Sequence, residues 1–199
     1  MKHLLPFFNE KMQMKNSKHR ISRFLLEKVL RFQVDYTVPE GARNCVLAFA
    51  PHTSIWDFAV GKLVMIAMDL NTKVMIKKEA FFFPVNLLLK SMGGFPIDRR
   101  HAAALPDQVA QLLHDNDGVT LLICPEGTRS RIEHWKRGFY LIAQKAGVPI
   151  FLSYIDWKGK KAGIGVKMDV TGNFNEDMKQ AEAFYRGMQG LHKGQFNFE

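Results

Sequence analysis

Pro51-His52-Thr53-Ser54-Ile55-Trp56-Asp57 sets an imidazole and a carboxylate five positions apart, and Cys124-Pro125-Glu126-Gly127-Thr128-Arg129-Ser130 gathers a carboxylate, a hydroxyl and a guanidinium around one glycine. An Asp bonded to one imidazole nitrogen fixes the tautomer and leaves the other nitrogen as a base. A base so placed activates a hydroxyl and contributes typically ~10²–10⁴-fold to rate. In the second segment, a Gly turn after an apolar run can offer backbone N–H groups and Arg129 to an oxyanion. Arg suits bidentate phosphate contact in a way that Lys does not. Each segment also has a plainer reading: Asp57 completing a helix capping box beside a polar turn residue, and Glu126–Arg129 forming a surface turn with incidental charges. Together they point to an enzyme that activates a hydroxyl and holds a phosphate-bearing substrate. Between them, Gly93-Gly94-Phe95-Pro96-Ile97-Asp98-Arg99-Arg100 offers either a second phosphate clamp, with Asp98 orienting an Arg, or an ordinary ion pair at a strand end.

The elements that must position these groups follow from periodicity. Residues five apart do not share a helix face. His52 must therefore lie on a strand-to-helix turn for Asp57 to reach back to it. Cys45 to Ala50 reads as a buried parallel strand ending just before His52, and Ser54 to Asp57 as a capping box opening a helix through about Met68. A strand is expected over Thr72 to Lys77, and a helix over Glu79 to Met92 broken or bent near Pro84. A helix from Pro106 to His114 precedes a strand over Val119 to Cys124. A helix over Lys136 to Ala146 ends at Gly147. Strands over Pro149 to Ile155 and Ile164 to Val170 flank the basic loop Lys158-Gly159-Lys160-Lys161, and a last helix covers Glu176 to Met188. Strands alternating with helices imply an α/β fold, a mixed and largely parallel sheet flanked by helices with active residues at strand ends.

Residues 1–40 form a distinct basic helical segment, with 41–199 as the domain that carries the chemistry. In this segment Lys2, Lys11, Lys15, Lys18, Arg20, Arg23, Lys28 and Arg31 outnumber Glu10 and Glu27. Ile21, Leu25, Val29 and Phe32 follow helical spacing. The segment either caps the domain or lies on an anionic bilayer, as basic amphipathic helices do. Phe81-Phe82-Phe83-Pro84 and Leu87-Leu88-Leu89 are expected mainly in the core, with lining an acyl slot or meeting a bilayer as the other roles.

Composition narrows the class. With 199 residues and 47% apolar content the chain suits one hydrophobic core. Its formal charge of +9 favours anionic partners. The chain has neither zinc-ligand spacing nor an aromatic platform, which argues against nucleic acid. Cys45 and Cys124 read as buried free thiols of a reducing compartment. No secretory signal and no spanning stretch is expected, so any membrane contact would be peripheral and on the cytoplasmic face. The remaining histidines have no metal-ligand spacing.

On these motifs the chain resembles the glycerolipid acyltransferases typified by bacterial 1-acylglycerol-3-phosphate acyltransferase. The family's His-x4-Asp motif corresponds to His52 and Asp57, and its second block to Gly94 through Arg99. The Pro-Glu-Gly-Thr-Arg-Ser block corresponds to Pro125 through Ser130, and Val-Pro-Ile to Val148-Pro149-Ile150. The likeness spans about Asn44 to Ile155. Pro51 stands where many members have Asn, and the long apolar N-terminal helices of many relatives are missing.

The resemblance implies that His52, oriented by Asp57, deprotonates an acceptor hydroxyl that attacks an acyl thioester directly. The helix dipole would favour a neutral imidazole there. Arg99, Glu126, Gly127, Thr128 and Arg129 would bind the acceptor's phosphate and glycerol end. The implied partners are a lysophospholipid, with 1-acylglycerol-3-phosphate foremost, and acyl-CoA or acyl-carrier protein as co-substrate, with no metal and no other cofactor. A different acceptor (a lyso-amino-acid lipid or glycerol phosphate) and a non-catalytic peripheral membrane protein are the alternatives.

Overall fold

Cys45–Ala50 is a run of six apolar residues, which only a strand covered on both faces can accommodate. In the computed structural model, which describes residues 17–98 and 104–199, this strand (β2) is buried along its whole length and lies in the middle of the sheet. The other strands are β1 (Gln33–Asp35), β3 (Thr72–Lys77), β4 (Gly94–Ile97), β5 (Thr120–Ile123), β6 (Ile150–Asp156) and β7 (Lys161–Met168). Their spatial order is β1-β7-β6-β2-β5-β3-β4. Every neighbouring pair is parallel except the β6–β7 hairpin.

Alternation along β2 separates two apolar layers. Val46, Ala48 and Ala50 face one cluster, with helices α4 (Leu105–His114), α5 (Gly138–Ala146) and α6 (Phe174–Tyr185) packed over it. Cys45, Leu47 and Phe49 face the other, under α2 (Ile55–Ala67) and the N-terminal helix. The chain leaves β2 through α2 towards β3, and leaves β5 through α5 towards β6, so the two crossovers cover opposite faces. The carboxyl ends of β2 and β5, which are hydrogen-bonded neighbours, therefore lie at a topological switch point, where open α/β sheets bind ligands.

The reading of residues 1–40 as helical is corrected by the strand β1 within them. The helix expected over Glu79 to Met92 takes the broken of its two expected forms: a single 3₁₀ turn, Lys78–Ala80, precedes the separate short α3, Val85–Ser91. Pro84 has no N–H for the helix ladder and disfavours a helical Phe83 before it. Phe82, Phe83, Leu87 and Leu88 are not core; all are exposed, Phe83 by 80%. In the N-terminal helix (α1, 17–24), the π turn Leu25–Val29 that continues it shifts the side-chain register. Ser22 and Leu26 are buried, whereas Ile21, Phe24 and Val29 are exposed. Phe32 is buried, but only after the helix has ended.

Gly93 sets the corner between α3 and β4. It has φ +81°, and a Cβ there would lie 2.2 Å from the Thr72 carbonyl oxygen of the neighbouring strand. Gly93→Ala therefore combines left-handed backbone strain with a backbone clash. We expect a loss of about 2–4 kcal/mol, read as a lower urea midpoint at unchanged m-value.

Candidate active site

Ser54 is the N-cap of α2, and its hydroxyl accepts a hydrogen bond from the Trp56 N–H (3.2 Å). Asp57, at the third helical position, returns the capping box. Its Oδ2 accepts from the N–H groups of Thr53 (2.6 Å) and Ser54 (2.7 Å). The plain reading of Asp57 as a capping residue thus holds, and the same geometry turns the carboxylate towards the residue before the turn. His52 Nδ1 lies 3.8 Å from that Oδ2. The two groups are electrostatic neighbours, just beyond hydrogen-bond reach, and buried Nδ1 has no other hydrogen-bond partner. Such contacts commonly tighten only when substrate is bound.

Burial lowers the His52 pKa. Asp57 offsets part of this, and the Arg129 charge adds to it. The imidazole is therefore neutral near pH 7, as a base must be. With Nδ1 turned to Asp57, Nε2 is the nitrogen left to take a proton.

The segment after β5 forms a tight turn in which the Gly127 N–H donates to the Cys124 carbonyl (3.0 Å) at φ +66°. Thr128 Oγ1 accepts from the Ser130 N–H (3.3 Å). Glu126 points inward, not towards an acceptor site. It is 1% exposed, and its Oε1 accepts the backbone N–H of His52 (2.8 Å). Burial raises its pKa to about 8, with Asp57 adding to the rise and the His52 N–H opposing it. Glu126 therefore fixes the His52 main chain. Cys124 borders the same cleft, but burial and the nearby carboxylates push its thiol far up, as burial pushes Cys45 to about 12. Neither thiol is an activated nucleophile.

Two cavities meet at this turn. One, of about 620 Å³, runs from His52 between Phe49, Phe58, Val74, Leu89 and Leu122, and is bounded at the turn by Gly127, Thr128 and Arg129. The other, of about 550 Å³, has a mixed lining: Ser54, Ser130, His192 and Gln195 together with Trp56 and Leu191. Ile55 and Arg129 line both. His52, Asp57, Gly127, Thr128 and Arg129 are thus brought together. Arg99 lies outside the described residues. The sequence reading missed the C-terminal contribution of His192, whose backbone N–H donates to Thr53 Oγ1 (3.2 Å). It also missed Trp157, whose indole reaches Asp57; no local pattern signals contacts so distant in sequence.

Residues 16–155 match the family model described as Acyltransferase. The chain belongs to the acyltransferase family. The matched span holds both motif turns and all the strands from β1 through most of β6, and ends before Trp157 and His192. Among solved structures, the chain is similar to the 1-acyl-sn-glycerophosphate (LPA) acyltransferase PlsC from Thermotoga maritima. The TM-score is 0.56 and the identity 20%, over 84% of this acyltransferase and 74% of that chain. At that identity the likeness is one of fold. No curated protein sequence matches significantly.

Glu126 yields a pH test. The folded state holds its proton up to about pH 8, whereas the free side chain loses it near 4.5. The native state thus binds more protons, and this group's contribution to stability falls as pH rises through that window. Glu126→Gln keeps an acceptor for the His52 N–H. Its unfolding free energy relative to wild type should rise from about pH 5 to about pH 8 and then level off, as measured by urea titration.

Proposed function

We propose that this acyltransferase moves a fatty acyl group from a thioester, acyl-CoA or acyl-carrier protein, to the free hydroxyl of a lysophospholipid, foremost 1-acylglycerol-3-phosphate. The observation that carries this reading is an apolar cleft that opens on a neutral imidazole and shares Arg129 with a neighbouring cavity that carries more polar groups. The acyl chain lies along Phe49, Phe58, Val74, Leu89 and Leu122, and the acceptor's phosphate end lies in the more polar cavity against Arg129. The reacting hydroxyl and carbonyl then meet at His52.

His52 Nε2 takes the acceptor's hydroxyl proton as the oxygen attacks the thioester carbonyl. The tetrahedral intermediate expels the thiolate, which recovers the proton from the imidazolium. Asp57 stabilises that imidazolium, and Arg129 supplies charge to the phosphate. A thiolate is a good leaving group, so the step calls for no metal and no covalent intermediate on the protein.

The exposed apolar residues support a peripheral encounter with an anionic bilayer. Phe82, Phe83, Leu87 and Leu88 project around α3, and Leu89 of the same helix lines the acyl cleft. Exposed Lys77, Lys78 and Lys90 flank them. Lipid could pass from the membrane into the cleft without crossing water. Among the described residues no helix is long and apolar enough to span a bilayer.

Transfer of labelled palmitoyl from its CoA and acyl-carrier-protein thioesters to lysophosphatidate tests the reaction. His52→Ala should lower kcat by at least about 10²-fold. Undiminished transfer by that variant would remove His52 as the base. Phe83→Asp/Leu87→Asp tests the surface. It should weaken binding to anionic vesicles at least about tenfold, from the lost burial of two large apolar side chains, while turnover of a monomeric short-chain acceptor is retained.

A further inference from the structure

Asp57 has no exposed surface, and its Oδ1 accepts a hydrogen bond of 2.6 Å from Trp157 Nε1, 100 residues further along the chain. We propose that Trp157 is a positioning residue for the catalytic base: its indole N–H holds the Asp57 carboxylate in the rotation that presents Oδ2 to His52. The proposal rests on the reading of His52 as the base. Trp157 itself lies beyond the family-matched span.

The two carboxylate oxygens have different tasks. Oδ2 takes the two backbone N–H groups of the capping turn and faces His52 Nδ1 at 3.8 Å. Oδ1 takes the indole. Without the indole, Oδ1 would be a buried acceptor lacking its partner, and the carboxylate could lower that cost by rotating away from the cap or towards the imidazole. A hydrogen bond at each oxygen blocks both rotations.

The indole is built into place rather than resting against Asp57. Its ring meets Phe32 edge-on with centroids 5.2 Å apart, and Lys160 lies over its face at 4.7 Å. The Trp157 backbone N–H donates to the Gln189 carbonyl (2.9 Å), and the Gln189 N–H donates to Asp156 Oδ1 (3.1 Å). The N-terminal arm, the β6–β7 turn and the C-terminal segment therefore fix one donor atom against the active-site carboxylate.

The charge balance at His52 gives the direction of the effect. Glu126, Arg129 and Cys124 are titratable groups coupled to His52 or Asp57, His192 packs on the capping turn at Thr53, and Lys160 and Asp156 are charges beside Trp157. Deleting the indole donor leaves all of these in place and removes a group that drew on the carboxylate's charge. More of that charge is then available to an imidazolium. His52 should become easier to protonate, so the base is lost at higher pH.

Two variants test this. Trp157→Phe keeps an aromatic ring against Phe32. Replacing Trp157 by β-(3-benzothienyl)alanine keeps the ring shape and removes only the N–H. The first readout is the titration of His52 in the substrate-free protein, followed by NMR of labelled histidine and assigned with His52→Ala. We expect its midpoint to rise by about 0.5–1 pH unit in both variants. The acid limb of kcat/KM should move up equally, kcat should fall about 10–100-fold, and KM should stay within about twofold. An unchanged His52 midpoint in the benzothienyl variant overturns the proposal, including where activity falls merely because thermal stability has fallen. If wild type transfers no acyl group from any thioester, the proposed reaction fails, and the substrate-free titration still decides the role of Trp157.

Discussion

Asp57 is a carboxylate with no solvent exposure at the start of a helix. A buried charge left without partners destabilises a fold severely, by more than any single apolar contact returns. Much of the local architecture supplies those partners. Two donors are the N–H groups of the α2 capping turn and the third is the Trp157 indole. The requirement spreads outward from there. Thr53, which provides one of the donors, has its hydroxyl bonded to the His192 N–H, and Trp157 is seated by Phe32 and Gln189. Segments from both ends of the described chain are thereby drawn to one turn. The orientation of His52, the residue before that turn, is a consequence.

A second buried acidic side chain contacts His52 through its main chain, and its environment gives it a different task. Glu126 accepts a single backbone N–H and has its pKa pushed up to about 8 by burial, whereas Asp57 accepts three donors. Pairs of carboxylates in contrasting surroundings are a recurrent way of assigning distinct roles to chemically similar groups. Here the contrast arises from topology. β2 and β5 are hydrogen-bonded neighbours in register from Cys45 opposite Thr120 to Ala48 opposite Ile123. The residues following them must therefore meet, although 74 positions separate His52 from Glu126.

Where pattern and short-range chemistry decide the outcome, the sequence is readable. The strand Thr72–Lys77 and the capping box at Ser54 and Asp57 follow from period, burial and side-chain type alone. The same holds for the left-handed Gly147 that ends α5. What fails to read is set by solvent and by distant contacts. Apolar residues at helical spacing suggested core for Phe82, Phe83, Leu87 and Leu88, yet Pro84 breaks the helix and leaves them outside. A π turn moves Val29 off the buried face, and periodicity at 3.6 residues cannot anticipate that shift. The resemblance to the glycerolipid acyltransferases implies Glu126 as a ligand for the acceptor. Only the β2–β5 register shows that the side chain turns inward to the His52 amide. Trp157 carries no local signal, since its meaning depends on Asp57, 100 residues away.

The two cavities share Ile55 and Arg129, and this common wall limits what can react. A long apolar chain gains most by lying along Phe49, Phe58 and Leu122, and an anionic headgroup gains most beside Arg129 in the more polar cavity. In the proposed reaction the ester-forming atoms lie beside His52, which lines the apolar cavity. Arg129 also acts on the base: its charge helps keep the imidazole unprotonated, while Asp57 opposes that effect. The cation suited to holding a phosphate thus favours the form of His52 that can accept a proton. In the proposed reaction, Asp57 would stabilise the imidazolium at its Nδ1 side once the proton has moved. Binding and proton transfer would then be coupled through one guanidinium and one buried carboxylate, both held by the turns after β2 and β5.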